Sequence, residues 1–164
     1  MPAELRDAVG QLLVSGTKII EERGTRDEHG QRALGARDAR FEYQDHQTGL
    51  GALLAVDRLT NLRTGAAAAW SARYVVGTAE VVAVIGAGRV AQATIEAVDR
   101  LLRPAEIRFT SRSAERREGV CQALAPRLTA RLTAVGDVAT ATAGAPVVIA
   151  AIPAEAPGFT TFVS

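Results

Sequence analysis

The chain has 164 residues, 48% apolar and 23% charged, with 19 Lys and Arg against 18 Asp and Glu. That length holds one compact domain, or one with a small appendage, and the balanced charge gives no sign of a nucleic-acid or membrane partner. A lone cysteine, Cys121, and two separated histidines, His29 and His46, exclude an internal disulfide and argue against a metal site.

From the amino terminus, Leu5, Val9, Leu12 and Leu13 fall at helical spacing within Pro2 to Val14, which predicts a short amphipathic helix ended by Ser15-Gly16. The apolar run Leu12-Leu13-Val14 is too short for a signal peptide or a membrane span, so a cytoplasmic location is expected. Lys18-Ile19-Ile20 predicts a brief strand. Residues 25–40 are dense in charge, hold Gly30 and Gly35 and lack a sustained apolar face, so they read as a mobile loop or a partly disordered insert. Phe41 to Gln44 and Leu50 to Val56 read as the arms of a β-hairpin turning through Asp45 to Gly49. Leu59-Thr60 opens a helical stretch to Val76, with Thr60 as its cap, four alanines from Ala66 to Ala69 allowing close packing, and Gly77 as its stop.

Beyond Gly77 the pattern alternates. Strands are expected at Glu80 to Ile85, Ile107 to Thr110, Leu128 to Val135 and Val147 to Ile152, with helices at Gly88 to Leu102, Ala114 to Leu124 and, more weakly, Val138 to Ala143. Short connections between alternating strands and helices imply a parallel sheet with right-handed crossovers. The fold class is therefore α/β: a partial Rossmann-like parallel sheet preceded by a short α+β segment with a β-hairpin, divided into residues 1–58 and 59–164.

The turn Gly86-Ala87-Gly88-Arg89-Val90-Ala91 carries the chemistry. Gly86 permits a tight strand-to-helix turn, Gly88 lets a pyrophosphate approach the backbone, and Ala91 is small enough for the helix to lie close to the strand. The amino end of the helix, at Arg89 and Val90, offers unpaired N–H groups to the phosphates. The preceding run Val81 to Ile85 is continuously apolar, as a buried parallel strand should be. A tight turn with no ligand is the competing reading.

The end of the next strand bears on which dinucleotide binds. An NAD site usually places Asp or Glu there for the ribose hydroxyls, whereas this chain has Ser111-Arg112-Ser113, with Arg116 and Arg117 one turn on. Arginine flanked by hydroxyls attracts a 2′-phosphate, so NADP is favoured over NAD. The same residues also fit a helix cap at Ser113 beside a solvated arginine face.

At Leu59-Thr60-Asn61-Leu62-Arg63-Thr64-Gly65-Ala66-Ala67, followed by Val84-Ile85-Gly86-Ala87-Gly88, the chain resembles the ornithine cyclodeaminase and mu-crystallin family. The resemblance runs on through Ser111-Arg112-Ser113 and reaches back to Asp45, Thr48 and Gly49. It implies a nicotinamide cofactor used on amino acids or their cyclic imines, with hydride transfer at the carbon that bears nitrogen. It further implies that Arg63 holds the substrate carboxylate, that Thr64 lies near the cofactor phosphates, and that Lys18 contacts the same carboxylate. The Pro and Asn that follow such a lysine in the family are replaced here by Glu21-Glu22-Arg23-Gly24.

Family members are considerably longer, with further strands after the fourth of the nucleotide domain and an acid/base aspartate in the carboxy-terminal half; no catalytic residue is nominated here. Three readings follow. The chain is an NADP-dependent imine reductase or cyclodeaminase-like enzyme, a truncated binding module, or a subunit completed by another chain. Its expected partners are a small amino acid or cyclic imino acid and a second copy, as a homodimer, or a complementing chain.

Overall fold

The computed structural model describes residues 2–6, 11–22, 25–26, 32–33 and 37–152. The chain divides into two compact units, residues 1–60 and 61–164.

The first unit is built on an antiparallel sheet. Strands β1 (Pro2–Arg6), β2 (Leu12–Glu22), β5 (Arg37–Asp45) and β6 (Gly51–Ala55) run in the order β1-β2-β5-β6, and a two-stranded ribbon pairs β3 (Thr25–Arg26) with β4 (Arg32–Ala33). The amino-terminal helix expected over Pro2 to Val14 is therefore replaced by strands wherever that stretch is described; Val9 lies outside the described residues. An isolated helix so short gains little without a packing partner, whereas β2 satisfies its backbone on both edges, with β1 through Leu5 opposite Val14 and with β5 through Lys18 opposite Phe41. Lys18-Ile19-Ile20 belongs to this eleven-residue strand.

The loop expected over residues 25–40 is shortened by β3, by β4 and by β5 starting at Arg37; residues 27–31 and 34–36 lie outside the described residues. The hairpin of β5 and β6 forms as read, with Phe41 opposite Leu54. Its turn is organised by Asp45, whose carboxylate accepts from the backbone N–H groups of Gln47 at 2.8 Å and Thr48 at 3.0 Å. Those two N–H groups, Thr48 first, hold the Asp45 carboxyl below its ordinary value.

Helix α1 (Asp57–Val76) starts earlier than expected. Thr60 is not its cap: the hydroxyl donates back to the Val56 carbonyl from inside the first turn, and Asp57 instead spends its carboxylate on the Ala39 N–H. The helix ends as read at Gly77, whose φ of +75° takes the left-handed conformation suited to glycine.

The second unit is a four-stranded parallel sheet in the order β10-β7-β8-β9, comprising β7 (Val81–Ile85), β8 (Glu106–Thr110), β9 (Arg131–Val135) and β10 (Val147–Ala150). Helices α2 (Arg89–Leu102), α3 (Ala114–Leu124) and α4 (Val138–Thr142) join the strands. The core forms where the apolar run of β7 meets the inner face of α2: Val82, Val84, Ala91, Ile95, Val98, Leu102, Ile107 and Phe109 are all fully or almost fully buried. Helix α2 stops at Arg103, which adopts left-handed φ of 50° before Pro104. Asp99, buried on α2, accepts from the N–H groups of Thr129 at 3.0 Å and Ala130 at 2.7 Å and so anchors the approach to β9. Among the described residues no helix is long and apolar enough to cross a membrane.

Candidate functional site

In a doubly wound sheet the ligand crevice lies at the carboxyl ends of the strands, where the chain switches from building one side of the sheet to the other. Here β7 is flanked by β8 on one side and β10 on the other, so the switch falls at the carboxyl end of β7, at Gly86. The Gly86 N–H donates to the Thr110 carbonyl at 2.8 Å, and the Ala151 N–H donates to the Ile85 carbonyl at 2.8 Å. The ends of β8 and β10 are thus tied to the glycine turn.

The two glycines of the turn serve different ends. Gly86 has φ of +127°, and a Cβ there would lie 2.6 Å from the Ala151 carbonyl oxygen. Both backbone and packing require glycine at this point. Gly88 has ordinary extended dihedrals, φ −76° and ψ 179°, and a Cβ there would meet nothing within 4 Å. Nothing in the folded chain demands glycine at 88; what its missing side chain keeps clear is the solvent side of the turn.

Gly88 is the N-cap of α2 and supplies no side-chain cap, which leaves the first-turn N–H groups at Arg89 and Val90 to water or an anion. Ala87 is buried, and its carbonyl accepts from the Gln92 side chain at 3.2 Å, which braces the turn from within the helix. Ala91 is fully buried, with its Cβ 3.4 Å from the position a Gly86 Cβ would occupy. The turn therefore combines open backbone, the positive end of a helix dipole and no carboxylate of its own, features that suit an anion.

Beside it lies the β8–α3 loop. Ser113 is the N-cap of α3, its Oγ accepting from the Arg116 N–H at 3.2 Å, and Ser111 Oγ donates to the Ser113 carbonyl at 3.2 Å. Arg112 is exposed, with no ion-pair partner among the described residues. The cap reading of Ser113 therefore holds in the folded chain, and the loop's outward charge is carried by Arg112.

Arg63 and Thr64 lie exposed on α1, immediately before Gly65. Gly65 is buried, and a Cβ there would stand 2.6 Å from both the Ala93 carbonyl carbon and the Thr94 nitrogen of α2. This contact brings α1, at the residue following Arg63 and Thr64, against α2 about one turn beyond Val90. Lys18, half-buried on β2 opposite Phe41, belongs to the first unit.

Sequence reasoning credited the alanine run with the close helix approach, but Gly65 makes it, and of the four alanines only Ala69 is buried. An isolated glycine inside a helix was the available signal. Gln92 braces the turn through its side-chain amide and Ala151 through its backbone N–H, contacts that no motif encodes.

The sequence matches the model of the Ornithine cyclodeaminase/mu-crystallin family over residues 1–163. No curated protein matches. Among solved structures, Thermococcus litoralis Δ1-pyrroline-2-carboxylate reductase in complex with NADH and L-proline is 16% identical with a TM-score of 0.70, covering 92% of this chain and 50% of that one. The iminosuccinate reductase of Paracoccus denitrificans in complex with NAD+ is 24% identical with a TM-score of 0.67, covering 93% and 46%. A lysine cyclodeaminase, studied for recognition of L-lysine, L-ornithine and L-2,4-diaminobutyric acid, is 19% identical with a TM-score of 0.66, covering 96% and 49%. The likeness is one of fold, and the chain spans about half the length of each of these structures.

Proposed function

We propose that this chain, which belongs to the ornithine cyclodeaminase/mu-crystallin family, binds a nicotinamide dinucleotide, NADP in preference to NAD, and serves the reduction of an imine or the cyclodeamination of an amino acid. The observation that carries the reading is the open cradle at Gly88 on the switch point of the sheet, with Arg112 rather than a carboxylate beside it. In this reading Gly86 to Val90 hold the diphosphate, with Thr64 beside it, and the Ser111-Arg112-Ser113 loop meets the 2′-phosphate through the Arg112 guanidinium. A bound nicotinamide supplies or accepts hydride at the carbon bearing nitrogen. Arg63 offers a two-pronged donor to the carboxylate of a small amino acid or cyclic imino acid. A carboxylate contact from Lys18 rests on the family resemblance alone. A cytoplasmic setting goes with this reading.

The test is fluorescence titration of the purified chain with NADPH and with NADH. NADPH should bind more tightly, and Arg112→Ala should weaken NADPH about tenfold or more while leaving NADH nearly unchanged. Equal loss of both cofactors would overturn the NADP assignment.

A second reading, a binding module or a subunit completed by a second copy or another chain, is favoured by one feature. Strand β10 ends the sheet with no charge in Val147–Ala150, and a shallow groove beside it is lined by Ala68, Ala72, Val75, Pro146 and Val148. Such an edge invites pairing with further polypeptide. If no imine, no keto acid with amine and no basic amino acid changes nicotinamide absorbance, this second reading replaces the enzymatic one.

A further inference from the structure

The β8–α3 loop is pinned on both sides of Arg112. Upstream, the Thr110 carbonyl accepts from Gly86 N–H at 2.8 Å, and the Thr110 hydroxyl donates to the Val135 carbonyl at 2.8 Å. Downstream, the Ser113 hydroxyl caps α3. Within the loop, the Ser111 carbonyl accepts a hydrogen bond from Nη1 of Arg117, the fourth residue of α3, which reaches back to it. Arg117 is half-buried, whereas Arg112 and Arg116 are exposed.

A guanidinium on a carbonyl is a charge-assisted contact, stronger than the hydroxyl contacts around it. It fixes the peptide that leads directly into Arg112 and sets a second positive charge beneath the loop. A solvated arginine would not need to fold back onto the one residue that precedes Arg112.

We propose that Arg117 is a positioning residue for recognition of a 2′-phosphate: by holding the Ser111 carbonyl it presents Arg112 from a fixed backbone. The inference rests on the NADP reading of the same site. Arginine suits the role because its planar fork is preorganised, so less rotamer freedom is lost per hydrogen bond than with lysine.

The experiment measures binding of 2′,5′-ADP and of ADP to the full chain by calorimetry, which needs neither the nicotinamide nor turnover. In the unaltered chain 2′,5′-ADP should bind more tightly than ADP. Arg117→Ala should weaken 2′,5′-ADP about five- to tenfold and leave ADP unchanged, and Arg117→Lys should recover part of the loss. Because Arg117 acts through Arg112, its removal should cost little once Arg112 is already alanine.

Equal weakening of both ligands, no weakening, or full additivity with Arg112→Ala would each overturn the role of Arg117 while leaving the NADP reading intact. Failure of the unaltered chain to distinguish the two ligands would overturn both. Should Arg117→Ala not fold, Arg117→Lys and Arg117→Gln carry the same comparison, with lysine expected to retain more of the discrimination than glutamine.

Discussion

Gly65 of α1 rests directly on the backbone of Ala93 in α2: a Cβ at 65 would stand 2.6 Å from the Ala93 carbonyl carbon. Because the obstacle is backbone rather than the tip of a side chain, the two helices would have to separate to admit even a methyl group. Gly65→Ala should therefore destabilise the second unit by about 1–3 kcal/mol despite alanine's better helix propensity, lowering Tm by several degrees. Since Arg63 and Thr64 immediately precede this contact, the proposed cofactor or substrate binding should weaken as well. A variant as stable as the parent would show that the helices are not held by this approach.

The glycine turn, the alternation of strand and helix and the hairpin could all be read from the sequence because each rests on a local rule: a continuous apolar run at Val81 to Ile85, one apolar face on α2, an Asp45-to-Gly49 turn. Of the amino-terminal strands only Lys18-Ile19-Ile20 could. Leu5, Leu12 and Leu13 satisfy helical spacing, and what decides for strands is the pairing of β2 with β5, a contact between residues far apart in sequence. Of the candidate site, the division of labour between the glycines was legible as well, Gly86 for the turn and Gly88 for open backbone. What the sequence does not carry is the Ala151 carbonyl packed against Gly86, because that neighbour comes from the far end of the sheet.

That division is testable. Gly86→Ala forces φ of +127° on a residue with a Cβ that meets Ala151, so a loss of about 2 kcal/mol or more is expected. Gly88→Ala has neither problem and should change stability by roughly 0.5–1 kcal/mol through the weaker N-cap. If the cradle holds the diphosphate as proposed, the added methyl group obstructs it, and NADPH and NADH should both weaken about tenfold or more. If Gly88→Ala bound both cofactors normally, the cradle would not be the diphosphate site.

Acid should unfold the second unit partly through Glu106. This carboxylate, buried at the amino end of β8, accepts from the Thr133 hydroxyl at 2.7 Å and from Arg108 Nε at 3.0 Å, with Arg131 at 3.3 Å. Thr133 first and then Arg108 hold its carboxyl below the ordinary 4.5. A depressed folded-state value means that the unfolded chain binds the proton more readily, so the stabilisation is fully present above 4.5 and is lost as pH falls through the folded value. Glu106→Gln should flatten Tm against pH in that acid window and cost about 1 kcal/mol at neutral pH. Asp137 of the same unit, held low chiefly by the Thr140 N–H, keeps part of the slope in the variant. An unchanged acid limb would remove Glu106 from the account.

Self-association is expected through the first unit. The hairpin of β5 and β6 leaves Leu50, Leu53 and Leu54 exposed, an apolar patch suited to a second copy. Sedimentation at micromolar concentration should report a dimer, and Leu54→Arg should shift it toward monomer. A monomer throughout the concentration range would remove the hairpin as an interface.

The sharpest test of the enzymatic reading is kinetic and concerns Arg63. Exposed on α1 beside the Gly65 contact, it offers the planar pair of donors that a carboxylate accepts in parallel. Arg63→Lys keeps the positive charge and loses the fork. If Arg63 does no more than hold substrate, its contact is equally strong in the ground and transition states, so KM should rise about tenfold while kcat and NADPH affinity hold. A fall in kcat at unchanged KM would instead mean that Arg63 contacts charge developing during hydride transfer, and a loss of NADPH affinity would move its partner from the substrate to the cofactor.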